Sequence, residues 1–228
     1  MNAPTPLAHA CRQPLMLGLF LPIQNGGWTP STTPRDTDWK FDYNARLTAR
    51  AESLGFDLAF GLAQWLGADG HGGDMQYRKY SLDPLLVTAG TSALTERIIL
   101  ISTVHALYGW HPLHLAKMGA TLDHMTDGRW GLNLVTGFRP HEIGMFGLDS
   151  IPHKDRYVMA AEFTELMQTL WREERNVTAS GRYWSLNEAY VSPKPINGRP
   201  IMVSAASSDA GLSYATRYSD LIFITSPG

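Results

Sequence analysis

The chain has 228 residues, 44% of them hydrophobic and 18% charged, which is ordinary for one substantial globular domain. Its formal net charge of -2 gives no electrostatic footprint for nucleic-acid binding. The single cysteine, Cys11, excludes a disulfide within the chain and a cysteine-based metal site. No apolar run reaches the roughly 18 residues of a membrane span, and the first residues lack a secretory-signal pattern. We therefore expect a cytoplasmic protein with no membrane or nucleic-acid partner.

From residue 15 onward, short apolar segments alternate with amphipathic ones. Six apolar segments predict strands, at residues 15–23, 57–62, 97–104, 129–135, 200–205 and 220–225. The segments between them predict helices, at residues 41–54, 82–94, 112–125, 155–172 and 209–218. Such alternation is typical of a parallel sheet with helices packed outside it. The sequence therefore predicts an α/β fold of the (β/α)8 TIM-barrel type.

The barrel domain is expected to cover residues 15–228, after a flexible leader at residues 1–14. A small β-ribbon is expected as an excursion at about residues 178–195. A closed barrel needs eight strand–helix units, and this sequence supplies about six, so the barrel is expected to be incomplete at its C-terminus. The first and sixth strands would each lack a neighbour. We therefore expect either a longer chain, of which this is a fragment, or a homo-oligomer that covers both edges.

In a parallel barrel, the residues at the carboxyl ends of the strands carry the chemistry. The first strand leads into Gly26, Gly27 and Trp28, where glycines allow close backbone approach to a ligand and the indole could form a wall, although a plain turn explains them equally well. The second strand leads to Ala63 and Gln64, and a Gly-rich loop follows at residues 67–73.

The third and fourth strands end in polar side chains. Thr103 and His105 could contact a polar ring or oxygen, although a lone histidine is more often a hydrogen-bonded structural residue. Asn133 could pair with the edge of a flavin ring, because an inward-pointing amide must find partners. His111 and His114 have metal-compatible spacing, but with no carboxylate spaced to join them they are interpreted as helix-start residues, and no metal site is predicted.

Two later segments could bind an anion. Arg156, followed by Tyr157, opens the longest helix and could hold a phosphate or carboxylate, with a surface ion pair as the alternative. Residues 204–211 place small residues and Ser208 at a helix start, where free N–H groups can bind an anion or Ser208 can simply cap the helix. Because the sequence contains no nucleophile elbow, Walker loop or metal cluster, a bound cofactor is expected to carry the chemistry.

Residues 123–129 (DHMTDGR) and 133–137 (NLVTG) resemble a paired motif of the bacterial luciferase-like flavin monooxygenases. The segments at residues 18–23, 190–195 and 208–211 also fit, and the resemblance runs from about residue 15 to the end. Within that superfamily the likeness is greatest to pyrimidine monooxygenases, with dimethyl sulfone and alkanesulfonate monooxygenases nearby. Gln64 departs from the lysine of the pyrimidine enzymes, and residues 107–112 contain an extra residue.

The resemblance implies an enzyme that uses reduced FMN and O2 to oxidise a small organic molecule through a flavin peroxide. The substrate would be a pyrimidine-like heterocycle or a small organosulfur compound, and a separate NAD(P)H:flavin reductase would supply the reduced FMN. Thr103 and Asn133 would flank the place where oxygen meets the flavin. The implied FMN-binding residues are Ala63, Gln64, Asn133, Glu142, Arg156, Tyr157 and Ser208. Two alternatives are an oxidoreductase dependent on the deazaflavin F420 and a non-catalytic flavin-binding protein.

Overall fold

The structure is a computed structural model that describes residues 4–68, 70 and 77–224. Its helices are α1 Pro6–Ala10, α2 Phe41–Ser53, α3 Pro84–Ser92, α4 Pro112–Met125, α5 Pro140–Met145, α6 His153–Arg172 and α7 Asp209–Tyr218. Its strands are β1 Gly18–Phe20, β2 Leu58–Gly61, β3 Ile99–His105, β4 Trp130–Val135, β5 Val177–Ser180, β6 Ser185–Ala189, β7 Ile201–Ala205 and β8 Leu221–Phe223. The main sheet has six strands in the order β1-β2-β3-β4-β7-β8. The contacts group the chain into two units, Met1–Thr103 and Val104–Gly228.

The first unit contains β1, β2 and most of β3, which pair in parallel with Phe20 opposite Phe60 and Gly61 opposite Ser102. Its buried apolar cluster includes Ile23 and Leu100, as expected for strands covered by helices. Helix α3 begins at a proline. The preceding residue, Asp83, caps the helix, because its carboxylate accepts the N–H groups of Leu85 and Leu86 at 2.9 and 3.0 Å. The buried core and the capped helix α3 therefore fix the positions of β1 and β2.

The second unit contains β4, β7 and β8, which are also paired in parallel, with Asn133 opposite Val203. Helices α4 and α6 pack together, and the Trp171 Nε1 donates to the Ala116 carbonyl at 2.9 Å. A side chain at Gly119 would lie 2.6 Å from the Trp130 ring, so a glycine lets α4 approach β4 closely. The helix layer thereby fixes the strand that carries the predicted site residue Asn133 near its carboxyl end.

The predicted α/β fold with six parallel strands is confirmed. The apolar strand residues Leu17, Leu19, Ile99, Leu132 and Val203 are expected to be buried. Ile99, Leu132 and Val203 are buried and Leu19 is partly buried, but the expectation for Leu17 is wrong, because it precedes β1 and is 42% exposed. The expected leader contains the short helix α1, and the expected ribbon region contains the antiparallel pair β5–β6. Helix α5 was not predicted. The expected Gly-rich loop and the end of the sixth strand lie partly outside the described residues.

Candidate active site

In the first unit, the turn after β1 is held against the segment at residues 78–82. Gly26 and Gly27 have left-handed backbones, with φ of +80° and +58°, which a side chain would strain. The Asn25 N–H donates to the Tyr80 carbonyl at 2.9 Å, and the Asn25 Oδ1 accepts the Tyr80 N–H at 2.7 Å. Arg78 N–H donates to the Asn25 carbonyl at 2.9 Å. Two connected segments therefore border the ends of β1 and β2.

Ala63 and Gln64, both predicted to bind the cofactor, follow β2. Ala63 is buried, and Gln64 is half-buried beside a cavity of about 120 Å³ that residues 63–65 and 81–84 line. The Gln64 Oε1 accepts a long hydrogen bond of 3.5 Å from the Arg78 Nη1. Thr103 is buried near the end of β3. A small ligand could thus contact Gln64 from this cavity.

In the second unit, His105 and Tyr108 form a buried aromatic stack next to Glu142. Their rings lie 4.5 Å apart at an interplanar angle of 13°. Tyr108 donates its hydroxyl proton to Glu142 Oε2 at 2.9 Å, and Arg139 Nη1 donates to the other carboxylate oxygen at 3.0 Å. Glu142 is only 5% exposed, so these two bonds stabilise a carboxylate that burial would otherwise disfavour. The carboxylate lies at the start of the previously unpredicted helix α5.

The stack also perturbs its own titratable groups. Burial, with the nearby Arg139 charge adding to it, lowers the pKa of His105 to about 4, so its imidazole is neutral at pH 7. Burial and the hydrogen bond to Glu142 raise the pKa of the Tyr108 hydroxyl well above its usual range. The His105 Nδ1 is buried without a hydrogen-bond partner among the described residues. The stack therefore presents neutral donors and acceptors.

Arg156 connects helix α6 to the loop after β4. Its Nη1 donates to the Gly137 carbonyl at 3.1 Å and its Nε to the Ile151 carbonyl at 3.0 Å. Gly137 has a φ of +74°, and an added Cβ would lie 2.3 Å from the Tyr108 ring. Arg156 thus fixes the loop that packs on the aromatic stack, and it brings the predicted residues Glu142 and Arg156 into one network.

Tyr157 and Ser208 lie together at the start of α7. The Ser208 hydroxyl accepts the Gly211 N–H at 3.2 Å and caps this ten-residue helix. A Cβ on Gly211 would lie 2.6 Å from the Tyr157 hydroxyl oxygen, so a glycine lets that hydroxyl reach the first helical turn. Free N–H groups, the serine hydroxyl and the tyrosine hydroxyl are suitable ligands for an anion such as phosphate.

Asn133 is buried within β4, and Thr103 belongs to the other unit, so their expected proximity stays a prediction. His111 accepts the Leu113 N–H at its Nδ1, which confirms that it is a helix-start residue. Within the described ranges, no group of three or more His, Cys, Asp or Glu side chains could hold a metal ion. In the same residues no helix is both long and apolar enough to cross a membrane.

Residues 16–228 match the family model of the luciferase-like monooxygenases. The chain belongs to this family. Among curated members of the luciferase-like family, it is 33% identical to the pyrimidine monooxygenase RutA of Caulobacter segnis, over 94% of this chain and 59% of that protein. It is 32% identical to the RutA of Allorhizobium ampelinum, over 93% of this chain and 57% of that protein. The chain thus spans less than two thirds of the length of these relatives.

Solved structures of the luciferase-like type share the fold. A riboflavin lyase, RcaE, solved with modified FMN and riboflavin, has a TM-score of 0.82 at 27% identity, covering 95% of this chain and 55% of that one. The EDTA monooxygenase EmoA from Chelativorans has a TM-score of 0.80 at 22% identity, covering 93% and 56%. These likenesses confirm the predicted barrel type, of which this chain contains six parallel strands.

Proposed function

We propose that this chain forms the FMN-binding part of a monooxygenase that uses reduced FMN and O2 to oxidise a small organic molecule. The observation that carries the proposal is the close approach of the Tyr157 hydroxyl to the first turn of α7, beside Ser208. That arrangement suits the phosphate of FMN, and both residues were predicted as cofactor ligands. Membership of the luciferase-like monooxygenase family supports the reaction class.

The residues divide the work of binding in this proposal. Ser208 and Tyr157 are proposed to hold the phosphate. Glu142, another proposed FMN-binding residue, is held in place by hydrogen bonds from Tyr108 and Arg139. Arg156, whose two donors bond backbone carbonyls, orders the loop after β4. Asn133 is proposed to bind the flavin ring, and Ala63 and Gln64 are proposed as cofactor-binding residues of the first unit.

Bound reduced FMN would supply the electrons by which one atom of O2 enters the substrate and the other leaves as water. Thr103 and Asn133 are proposed to orient O2 by hydrogen bonding. A separate NAD(P)H:flavin reductase, a homo-oligomeric state and a cytoplasmic location belong to the same proposal. A pyrimidine-like heterocycle remains the first substrate class to test, because the RutA relatives are pyrimidine monooxygenases. A small organosulfur compound is the second.

The phosphate assignment can be tested by comparing FMN with riboflavin, which lacks the phosphate. Ser208→Ala should weaken FMN binding about tenfold and leave riboflavin binding nearly unchanged, because one hydrogen bond to a charged group is lost. Ser213→Ala, an exposed serine of the same helix, is the control and should alter neither affinity. Equal losses for both ligands would contradict a phosphate site at α7.

The oxygen assignment needs turnover. Thr103→Val removes a hydroxyl while preserving shape, so it should slow product formation and leave FMN affinity nearly intact. Unchanged turnover with full FMN occupancy would show that Thr103 does not assist oxygen. Titration with F420 in place of FMN tests the dehydrogenase alternative, because an F420-dependent alcohol dehydrogenase shares the fold at a TM-score of 0.73. Bound FMN that stays inert toward O2 and every substrate tried would favour the non-catalytic alternative.

A further inference from the structure

We infer that Arg78 binds an anionic oxygen group of the substrate, so that the preferred substrates are planar molecules bearing a carboxylate or an equivalent anion. The inference rests on the proposed function, because it names the substrate class of that site. It concerns a group of side chains after β1 and β2 in the first unit. This group, the Arg78 cluster, consists of Gln24, Trp28, Gln64, Arg78 and Ser81.

The backbone of Arg78 is held in an unusual conformation. Its φ is +59°, in the left-handed region that a residue with a long side chain rarely adopts. The hydrogen bond from its N–H to the Asn25 carbonyl, together with the paired backbones of Asn25 and Tyr80, keeps it there. Strain of this kind persists where the surrounding structure imposes it, and it is concentrated at binding sites. The strained backbone directs one particular side chain into the cluster.

The guanidinium of Arg78 lies against aromatic rings. Its Cζ is 5.3 Å from the centroid of Trp28 and 4.7 Å from that of Tyr77. Its recorded hydrogen-bond acceptor is the amide oxygen of Gln64, at the long distance of 3.5 Å. No carboxylate lies within 4 Å of it among residues 4–68, 70 and 77–224.

Three other arginines of the chain have stronger partners than Arg78 has. Arg199 binds Asp220 through two bonds of 2.6 and 2.7 Å, and Arg139 binds Glu142 at 3.0 Å. Arg156 bonds two backbone carbonyls. In the part of the chain that the structure describes, the Arg78 guanidinium bonds neither a carboxylate nor a backbone carbonyl. Among these four arginines, Arg78 has the weakest partners, and an anionic ligand would compensate its charge.

Further polar atoms of the cluster are unsatisfied. The Oε1 of Gln24, the Nε1 of Trp28, the Nε of Arg78 and the Oγ of Ser81 are all buried without hydrogen-bond partners in the described residues. Buried polar atoms are normally paired, so four in two adjacent segments indicate a site whose partner is a ligand. Two members of the cluster, Gln64 and Ser81, line the cavity of about 120 Å³.

The chemistry of the cluster selects the ligand. A guanidinium presents parallel N–H donors that match the two oxygens of a carboxylate, and such charged pairs are the strong ones. The Trp28 ring beside it offers a face on which a flat ring can stack. An isosteric neutral amide would lose the charge interaction while keeping the shape. Discrimination between carboxylate and amide is therefore the property to measure.

The test uses benzoate and benzamide as probes, titrated by calorimetry into the chain without flavin. The wild-type chain should bind benzoate at least tenfold more tightly than benzamide. Arg78→Gln should abolish that preference, and Arg78→Lys should retain part of it, because the charge remains but the fork is lost. Arg46→Gln, an exposed arginine on α2, makes the same charge change and should keep the full preference.

A wild-type chain that binds no benzoate, or an Arg78→Gln variant that keeps the preference, overturns the inference. Circular dichroism of each variant shows whether it is folded, and Arg78→Lys serves as the folded comparison if the glutamine variant is not. FMN affinity is measured separately. If the wild-type chain bound no FMN, the proposed function would fail. A wild-type chain that binds FMN but does not prefer benzoate to benzamide would count against the role of Arg78 alone.

Discussion

Removing the Tyr108 hydroxyl tests whether the aromatic stack supports Glu142. Tyr108→Phe deletes the 2.9 Å bond to Glu142 Oε2 and leaves that buried carboxylate with Arg139 as its recorded partner. A hydrogen bond to a charged group contributes about 1.5–3 kcal/mol, so the free energy of unfolding should fall by about 2 kcal/mol. For a chain of this size, that corresponds to a drop in Tm of roughly 4–8 °C.

The assay is thermal unfolding at pH 7, followed by circular dichroism. Tyr183→Phe is the matched control, because the Tyr183 hydroxyl is buried without a partner in the described residues. Its removal should change Tm little or raise it slightly, since an unsatisfied polar group is lost. If the two variants have the same Tm, the bond to Glu142 contributes nothing to stability and the reasoning is refuted. Weaker FMN binding by Tyr108→Phe alone would further connect this bond to the proposed cofactor site.

Two more substitutions test the same region. Gly137→Ala should lower the free energy of unfolding by roughly 1–3 kcal/mol, because the Gly137 φ is +74° and the new methyl group would meet the Tyr108 ring. Gly144→Ala is the control and should be nearly neutral, because nothing lies within 4 Å of the added methyl group. Urea unfolding measures both. His105, whose folded pKa of about 4 is below its ordinary 6.5, contributes stability that is complete above pH 6.5 and is lost as the pH falls toward 4. His105→Asn should flatten the dependence of unfolding free energy on pH in that window, and the exposed control His114→Asn should not; an unchanged slope in His105→Asn would exclude a neutral buried imidazole.

The helices with strong end signals could be predicted from the sequence at their observed bounds. Helix α4 begins at Pro112 after His111, and helix α7 begins after the serine that caps it, Ser208. Strand β1 is shorter than its apolar run, because apolar composition does not show where pairing begins. Helix α5 escaped prediction because six residues are too few to show an amphipathic period.

The site could be predicted only in part. Ala63 and Gln64 could be predicted because they follow a strand, and sites in parallel barrels lie at the carboxyl ends of the strands. The network around Glu142 does not, because the partner Tyr108 is 34 residues away and such pairing leaves no local pattern. Tyr108 precedes a glycine after a strand, which was the one available signal. The left-handed backbone of Arg78 leaves none, since arginine normally avoids it.

Consecutive residues of α6 contact two different parts of the second unit. Arg156 bonds the loop after β4, and Tyr157 reaches the first turn of α7. A single helical turn therefore links two binding elements that are far apart in the sequence. An anion that immobilises Tyr157 should therefore also restrict the motion of the loop at Gly137, and by thermodynamic linkage a more rigid loop should strengthen anion binding. Phosphate alone, without a flavin ring, should accordingly slow hydrogen exchange in that loop.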